Sequence, residues 1–320
     1  GIDVTVVEEQ TAYDGNFPTV EVPNPENKAA LKMAIDRAEK IGADVVFGTD
    51  PDCDRLGVAV RNGEGEFVGL TGNQVGALLL EYVLMRLKAE NKLPENAVAI
   101  KSFVSTNLAK AICDSYGVQL METPVGFKFI GEKIKEFEQN KDKTFVFGFE
   151  ESCGYLRGTH ARDKDAVVAS MLFAELACYC AYKNKSVYSM LIDIYDRLGY
   201  VYDNTVSVAY SGLNAMSEMN AVVDKMRAAN VSKINIYNVV AVRDYLSGEK
   251  RFSDGREEKL EYSGINCLYY ELENGGFVCL RPSGTEPKLK IYYSVCAKNE
   301  EACKKVYDAL SADFSKLLSE

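Results

Sequence analysis

The segment Asp44-Val-Val-Phe-Gly-Thr-Asp-Pro-Asp-Cys-Asp-Arg-Leu-Gly-Val-Ala-Val60 consists of two apolar runs joined by a turn with three aspartates at alternate positions. Short apolar runs bounded by turn residues are typical of buried strands. The carboxylates of Asp50, Asp52 and Asp54 repel one another unless a cation neutralises them. Oxygen-only ligands favour a hard divalent ion, so this segment predicts a strand–turn–strand unit with a Mg²⁺ site.

Other structures also contain closely spaced aspartates. An EF-hand begins with the same pattern but needs Gly at its sixth position and Glu at its twelfth, where this chain has Arg55 and Arg61. A phosphatase with an aspartyl nucleophile stays open as the runner-up, because it also places two alternate aspartates after a strand. An acidic solvated turn is the ordinary alternative for Asp-Pro-Asp. The flanking strands favour the metal site, as does Arg55, a candidate catalytic residue that could hold a phosphate or the carboxylates.

Composition limits the possible partners and the location. The 320 residues are enough for two or three domains, and the net charge of −10 argues against a nucleic acid or an anionic membrane as partner. No apolar run approaches the length needed to cross a bilayer. The nine cysteines are scattered without a C-x-x-C pair, which is typical of reduced thiols and predicts a cytoplasmic protein.

The order of helical and strand patterns predicts a multi-domain α/β fold. A helix is expected to begin at Asn24-Pro25, and residues 2–7 read as a buried strand. From about residue 70 to 198, helices and strands alternate, which predicts αβα sandwich domains with mixed, largely parallel sheets. Residues 199–203 are predicted to be a linker. Beyond them, strands with short turns and a last helix predict a C-terminal α+β domain with an antiparallel sheet.

A second candidate site is Arg281-Pro-Ser-Gly-Thr-Glu-Pro-Lys288. Ser283, Gly284 and Thr285 offer hydroxyls and accessible backbone N–H groups, and Arg281 offers a planar pair of donors suited to phosphate. A Pro/Gly hairpin turn with incidental hydroxyls is the alternative. Lys288 and Lys290 add positive charge in an acidic protein and favour phosphate binding.

A third candidate site is Gly148-Phe-Glu-Glu-Ser-Cys-Gly154, which follows an apolar strand. The Glu150 carboxylate and the Ser152 hydroxyl suit two neighbouring sugar hydroxyls, although this pattern also fits a helix entry or an exposed turn. Among the next residues, Lys164 and Arg162 suit a phosphorylated ligand. His160 is the only histidine and is expected to be structural or exposed rather than an essential base.

A fourth candidate site is Thr123-Pro-Val-Gly-Phe-Lys128. Gly126 permits close approach of a ligand, and Lys128 could reach a phosphate or a hydroxyl. A strand-to-helix turn with its lysine in solvent explains the spacing equally well. Thr123, Gly126 and Lys128 are therefore candidate binding residues.

The four segments together resemble the α-D-phosphohexomutase superfamily, the phosphoglucomutase/phosphomannomutase enzymes. Asp50–Arg55 is similar to the metal loop of that family, Thr123–Lys128 to its specificity loop, Glu150–Ser152 to its sugar-binding loop and Arg281–Lys288 to its phosphate-binding loop. They occur in the family's order. The Glu-Glu-Ser segment and the following Ala-Arg-Asp-Lys-Asp look most similar to the bacterial α-phosphoglucomutase branch.

The resemblance implies a domain organisation. Residues 1–69 would be the end of domain II, residues 70–198 domain III, and residues 199–320 domain IV. The family's first domain carries a phosphorylated serine in a Thr-x-Ser-His-Asn-Pro-like motif that does not occur in this sequence. We therefore expect the chain to be a piece of a longer polypeptide and to be inactive by itself.

The resemblance also implies a reaction. The phosphoserine would pass its phosphoryl group to glucose 1-phosphate, and the resulting glucose 1,6-bisphosphate would reorient and return its other phosphoryl group to the serine, leaving glucose 6-phosphate. Mg²⁺ would be held by the three aspartates, and Lys164 would assist proton transfer or binding. Mannose and pentose phosphates stay open as substrates, so a phosphopentomutase of the same superfamily is an alternative. A non-catalytic phosphosugar-binding module is another.

Overall fold

The chain forms two compact units, Gly1–Ile194 and Tyr195–Glu320. The computed structural model describes residues 1–284 and 286–319, the last of these by its backbone only. The α/β fold class with mixed and antiparallel sheets is confirmed. The three-domain boundaries expected from the sequence stay a prediction.

Helices and strands alternate through most of the chain up to residue 198. The helices there are α1 (Lys32–Ile41), α2 (Gly72–Ala89), α3 (Leu108–Tyr116), α4 (Phe127–Asn140), α5 (Ala166–Tyr182) and α6 (Val187–Leu198), with short 3-10 helices at Glu8–Gln10 and Lys28–Leu31. The strands are β1 (Val45–Thr49), β2 (Leu56–Arg61), β3 (Phe67–Gly69), β4 (Ala97–Ser102), β5 (Gln119–Thr123), β6 (Thr144–Glu150) and β7 (Gly154–Leu156).

The first sheet has the order β1-β2-β3 and is antiparallel throughout. Alternate residues of β1 point to opposite faces, as the pleat of a strand requires. Val46 packs with Leu31 and Ala38 on the α1 side. Phe47 meets Phe173 of α5 edge to face, with 5.8 Å between ring centroids. The sheet is thus covered by a helix on each face. The acidic turn connects β1 to β2 at one end of the sheet.

The second sheet has the order β5-β4-β6-β7, with β7 antiparallel to the three parallel strands. On one face, Val98 and Ile100 pack with Ile130 of α4. On the other face α2 lies so close that a β-carbon on Gly76 would be 2.2 Å from the ring of Phe149. The sheet is therefore sandwiched between helices, and the turns after β4, β5 and β6 lie at its carboxyl edge, where ligands bind in such sheets.

The second unit is an antiparallel sheet packed against two helices. Its elements are β8 (Tyr200–Ala209), α7 (Ala215–Ala228), β9 (Lys233–Ile234), β10 (Tyr237–Asp244), β11 (Glu249–Phe252), β12 (Glu257–Lys259), β13 (Leu268–Leu272), β14 (Phe277–Pro282), β15 (Lys288–Ala297) and α8 (Glu300–Ser319). The sheet order is β12-β11-β10-β13-β14-β15-β8, with β9 paired to β10. Met219 of α7 and Phe314 of α8 are completely buried in the core against this sheet.

Three local predictions are wrong. Residues 2–7 form no strand and are mostly exposed. None of the described strands pairs with them, and a strand without a partner is not stable. The helix expected at Asn24-Pro25 begins as a 3-10 turn at Lys28, capped by Asn27, and becomes α-helical at Lys32. The linker expected at 199–203 is instead the start of β8, which pairs with β15 along its whole length.

The described helices were also compared with the length and apolarity of membrane spans. No single one is long and apolar enough to cross a bilayer. Helices α5 and α6 reach the length and apolarity of a membrane span only when they are taken together, and they are bent by 86° at their junction.

Candidate active site

The acidic loop, residues 50–55, brings its three carboxylates together. Asp50, Asp52 and Asp54 each offer one oxygen, and these oxygens lie within 4.8 Å of one another. The loop keeps this shape because Asp50 Oδ1 accepts hydrogen bonds from the backbone N–H groups of Asp54 (3.1 Å) and Arg55 (3.0 Å). Cys53 completes the turn with a φ of 58°. The predicted acidic cluster is therefore present as a preformed set of oxygen donors.

Two cations face this cluster. Arg55 Nε lies 3.6 Å from Asp50 Oδ2 and 3.9 Å from Asp54 Oδ1, and Lys164 Nζ lies 2.7 Å from Asp54 Oδ2. Burial, with smaller contributions from Asp54 and Asp52, raises the pKa of Asp50 above its ordinary value. Asp54 Oδ1 is buried and accepts no hydrogen bond from the described residues. A buried carboxylate oxygen without a donor, beside two further carboxylates, fits a hard divalent cation such as Mg²⁺.

Lys164 reaches the cluster across a glycine. A β-carbon on Gly154 would lie 2.7 Å from Lys164 Cδ, so the absence of a side chain at position 154 lets the lysine stem pass. Burial lowers the pKa of Lys164, but hydrogen bonds to Asp54 and Asp163 outweigh it and leave the pKa above its usual value. Lys164 is therefore a firmly protonated donor at the acidic loop.

The Glu-Glu-Ser turn, residues 150–154, is joined to the acidic loop by backbone contacts. Leu56 N–H donates to Cys153 O at 2.9 Å, and Arg55 forms an isolated antiparallel bridge with Gly154. Cys53 O accepts from the N–H of Ala166 at the start of α5. Two motifs separated by about 100 positions in the sequence therefore form one continuous surface.

Glu150 lies at the centre of this surface. Its side chain is 4 % exposed, and its Oε1 accepts a hydrogen bond of 2.6 Å from the N–H of Gly126. Burial, and then the charge of Glu151, raises the pKa of Glu150 to about 7. Gly126 has a φ of 121°, which is strained for any residue with a side chain. The structure thus brings the predicted residues Glu150 and Gly126 into direct contact.

The other residues predicted in the first unit are placed less decisively. Ser152 is half-buried next to Glu150 in the turn, and Lys128 is exposed with its Nζ 5.0 Å from the Phe129 ring centroid. Thr123 is completely buried at the end of β5, with its Oγ1 3.5 Å from Lys101 O. Their contacts with a ligand stay predictions.

His160 and Arg162 make contacts within the protein. His160 Nε2 lies 2.9 Å from Asp165 Oδ2, and Asp165 caps α5 by accepting from the N–H groups of Val167 and Val168. Arg162 pairs with Glu138 of α4. These contacts tie His160 to the cap of α5 and Arg162 to α4, and their roles toward a ligand stay predictions.

In the second unit, the Arg281 hairpin, residues 281–288, joins β14 to β15. Arg281 lies opposite Lys290 across the strand pair and donates from Nη1 to the Tyr292 hydroxyl at 3.3 Å. Ser283 N–H donates to Lys288 O at 2.9 Å, and Gly284 is exposed. Thr285 lies outside the described residues. Arg281 and Lys290 therefore form a pair of adjacent cations on one hairpin.

Sequence reasoning missed a buried polar group at the end of β4. Lys101, Ser102 and Ser105 are completely buried, and the two serines contact the Glu151 carboxylate. The signal that could have found them is the segment Lys-Ser-Phe-Val-Ser after an apolar strand, since polar residues in a buried strand end need partners.

Comparisons with known proteins match these features. The family models described as phosphoglucomutase/phosphomannomutase alpha/beta/alpha domain II and domain III match residues 1–64 and 71–198, together more than half of the chain. The phosphoglucomutases of Staphylococcus saprophyticus and Staphylococcus aureus (strain USA300) are 34% and 35% identical over 95% and 94% of this chain, and over 54% of their own lengths. The chain thus spans about half the length of the curated relatives it matches.

Solved structures agree in fold. A putative phosphomannomutase from Thermus thermophilus has a TM-score of 0.60 at 21% identity, covering 93% of this chain and 51% of its own. The exocytosis-sensitive phosphoprotein pp63/parafusin (phosphoglucomutase) from Paramecium has a TM-score of 0.62 at 17% identity, with coverages of 93% of this chain and 49% of its own. Sequence models, curated relatives and fold agree, and the chain belongs to the phosphoglucomutase/phosphomannomutase family of α-D-phosphohexomutases.

Proposed function

We propose that this chain supplies the metal, sugar and phosphate loops of a phosphoglucomutase. The enzyme would be an intramolecular phosphotransferase that interconverts glucose 1-phosphate and glucose 6-phosphate through glucose 1,6-bisphosphate. The observation that carries the proposal is the backbone connection between Leu56 and Cys153, which sets three carboxylates beside a buried glutamate suited to sugar hydroxyls. The curated relatives named phosphoglucomutase support glucose as the sugar.

Each side chain has a role in this proposal. Asp50, Asp52 and Asp54 would hold Mg²⁺, which when bound would offset charge on the transferring phosphoryl group. Lys164, firmly protonated, would donate a hydrogen bond to a phosphoryl oxygen or to the attacked hydroxyl. Glu150 would accept hydrogen bonds from sugar hydroxyls.

The Arg281 hairpin would bind the phosphate that is not reacting. A guanidinium beside an ammonium on one strand pair offers both a planar donor fork and a point charge. Ser283 and Gly284 would add donors from the turn.

Binding and turnover test the proposal separately. Isothermal titration calorimetry of the chain with glucose 6-phosphate or glucose 1-phosphate, in buffer containing Mg²⁺, should show saturable binding. This binding should be weaker in Glu150→Gln. Mannose 6-phosphate and ribose 5-phosphate are the competing sugars. Absence of binding by all four would contradict the proposal, and tighter binding of ribose 5-phosphate would favour the phosphopentomutase.

Turnover is measured with and without added glucose 1,6-bisphosphate, on the chain and on any longer polypeptide that contains it. We expect conversion of glucose 1-phosphate by the longer polypeptide only. A phosphoaspartate trapped by acid quench at residue 50 or 52 would instead support the aspartyl-nucleophile phosphatase. The two backbone hydrogen bonds that Asp50 Oδ1 accepts argue against a nucleophilic role for that oxygen.

A further inference from the structure

The side chain of Glu151 turns away from the surface that Glu150 lines and contacts two buried serines. Ser102 Oγ lies 2.9 Å and Ser105 Oγ 3.3 Å from Glu151 Oε2, and the two hydroxyl oxygens are 2.7 Å apart. Ser105 Oγ also accepts from the backbone N–H of Glu151 at 3.1 Å. We call Ser102, Ser105 and Glu151 the serine latch.

The donors and acceptors of the serine latch form a closed ring. Glu151 N–H donates to Ser105 Oγ and Ser102 O–H donates to Glu151 Oε2, and assigning the Ser105 O–H to Ser102 Oγ closes the ring. Each hydroxyl then donates once and accepts once, which satisfies two completely buried polar groups. The ring fixes both the backbone and the side chain of position 151.

Neighbouring contacts hold the latch from two sides. Lys101 Nζ donates to Ser105 O at 2.9 Å and pairs with Glu122 at 2.9 Å, which secures the turn that carries the serines. A β-carbon on Gly72 would lie 2.0 Å from Glu151 O, so the start of α2 packs directly on the same backbone. The peptide at position 151 therefore has little freedom to move.

We propose that Glu151 is a positioning residue, which through the serine latch fixes the backbone that presents Glu150 and Ser152 to the sugar. This inference rests on the proposed function, because it assigns Glu151 a task in the same site. Glu150 reaches Gly126 while Glu151 reaches the serines, so the two adjacent carboxylates serve opposite sides of the turn. One binds the ligand, and the other holds the first in place.

The test compares variants that break the ring with one that keeps it. Ser105→Ala removes both bonds of that hydroxyl and should weaken glucose 6-phosphate binding about tenfold, and Ser102→Ala should weaken it less. Glu151→Gln keeps an acceptor oxygen for Ser102 and the backbone N–H, so it should bind within about twofold of the wild type at pH 8. Ser115→Ala in α3, which removes a hydroxyl of an exposed serine bonded to Ile112 O, controls for the loss of a serine hydroxyl outside the latch.

Two further readouts separate positioning from general stability. Amide hydrogen exchange at residues 151–153 should speed up in Ser105→Ala, and Mg²⁺ affinity should fall by a smaller factor than sugar affinity, because this turn contacts the acidic loop through the Leu56–Cys153 hydrogen bond. In Glu151→Gln the pH at which sugar binding is half-lost should fall, because the Glu151 charge is one of the groups that raise the pKa of Glu150. The other charged groups that act on Glu150 are Lys164 and Asp163, and they are unaltered.

The outcomes distinguish this inference from the proposed function. Equal binding by wild type and Ser105→Ala would overturn the latch while leaving the proposed function intact, and so would an equal loss in Ser115→Ala. If Ser105→Ala does not fold, Ser102→Ala and Glu151→Gln decide, since the inference requires the first to bind more weakly than the second. If wild type binds no sugar phosphate, both proposals fail together.

Discussion

Two regions of the molecule hold charged groups in different ways. One is the acidic loop together with the Glu-Glu-Ser turn, and the other is the Arg281 hairpin. The first region is joined by bonds between residues far apart in sequence, such as Leu56 with Cys153 and Glu151 with Ser105. In the hairpin, the bonds from Arg281 to Tyr292 and from Ser283 to Lys288 link residues of one strand pair, and Pro287 O accepts from the N–H of Tyr210, just after β8. The first region thus draws on contacts across the fold, whereas two of these three hairpin bonds are local.

The sharpest test of this contrast is a pair of glycine substitutions. Gly72→Ala places a β-carbon 2.0 Å from Glu151 O and should lower the free energy of unfolding by about 3 kcal/mol. Gly284→Ala in the hairpin meets nothing within 4 Å and should change it by less than about 0.5 kcal/mol. Urea denaturation of both variants measures the difference. Similar losses in the two would show that the hairpin is as constrained as the acidic region.

The Mg²⁺ affinity of the acidic loop can be tested at Asp52, the most exposed of its three aspartates. Asp52→Asn removes one anionic ligand without disturbing the backbone bonds made by Asp50, and should weaken Mg²⁺ binding about a hundredfold. Without Mg²⁺ the same variant should be at least as stable as wild type, because it relieves repulsion among the carboxylates. Isothermal titration gives the affinity. Asp44→Asn, outside the trio, is the control, and an equal loss there would contradict the assignment.

The titration of Glu150 provides a pH test. Because the pKa of Glu150 is about 7 and its carboxylate is the form that accepts sugar hydroxyls, binding of glucose 6-phosphate should weaken about tenfold from pH 8 to pH 6. Glu150→Gln keeps the titration of the ligand's own phosphate, so the difference between the two pH profiles isolates Glu150. Parallel profiles for wild type and variant would refute this role.

The same shift in pKa has the opposite effect on stability. The pKa of Glu150 is raised above its ordinary value of 4.5, so its contribution to folding is complete below that pH and is lost as pH rises through about 7. The loss amounts to at most about 3 kcal/mol. Stability of wild type relative to Glu150→Gln should therefore fall across this interval. A relative stability that rises with pH would contradict it.

The smallest effect is expected in the hairpin. Lys290→Gln removes one of two adjacent cations and should weaken phosphate binding about threefold at low salt, with the difference vanishing at high salt. Lys298→Gln, beyond the end of β15, is the control. A loss of a hundredfold at Lys290 that resists salt would mean that this hairpin is as desolvated as the acidic region.

Features that depend on residues close together in the sequence were predictable, and features that depend on distant residues were not. The acidic trio and the β14–β15 hairpin were predictable because their residues are neighbours in the chain. The serine latch was not, because it joins position 151 to positions 102 and 105, and only the sheet brings them together. The sequence predicts a linker where β8 begins. That prediction is wrong because these residues form a strand by pairing with β15, about 90 residues later.

The hydrogen bond between Leu56 and Cys153 has a thermodynamic consequence. If both ligands bind as proposed, a cation held by residues 50–55 would also restrain the turn containing Glu150, and a sugar bound by that turn would restrain the carboxylates. Linkage requires the two effects to be equal: whatever factor Mg²⁺ contributes to sugar affinity, the sugar contributes to Mg²⁺ affinity. In the proposed enzyme this backbone bond would couple the two ligands, so that the affinity for either one would report the binding of the other.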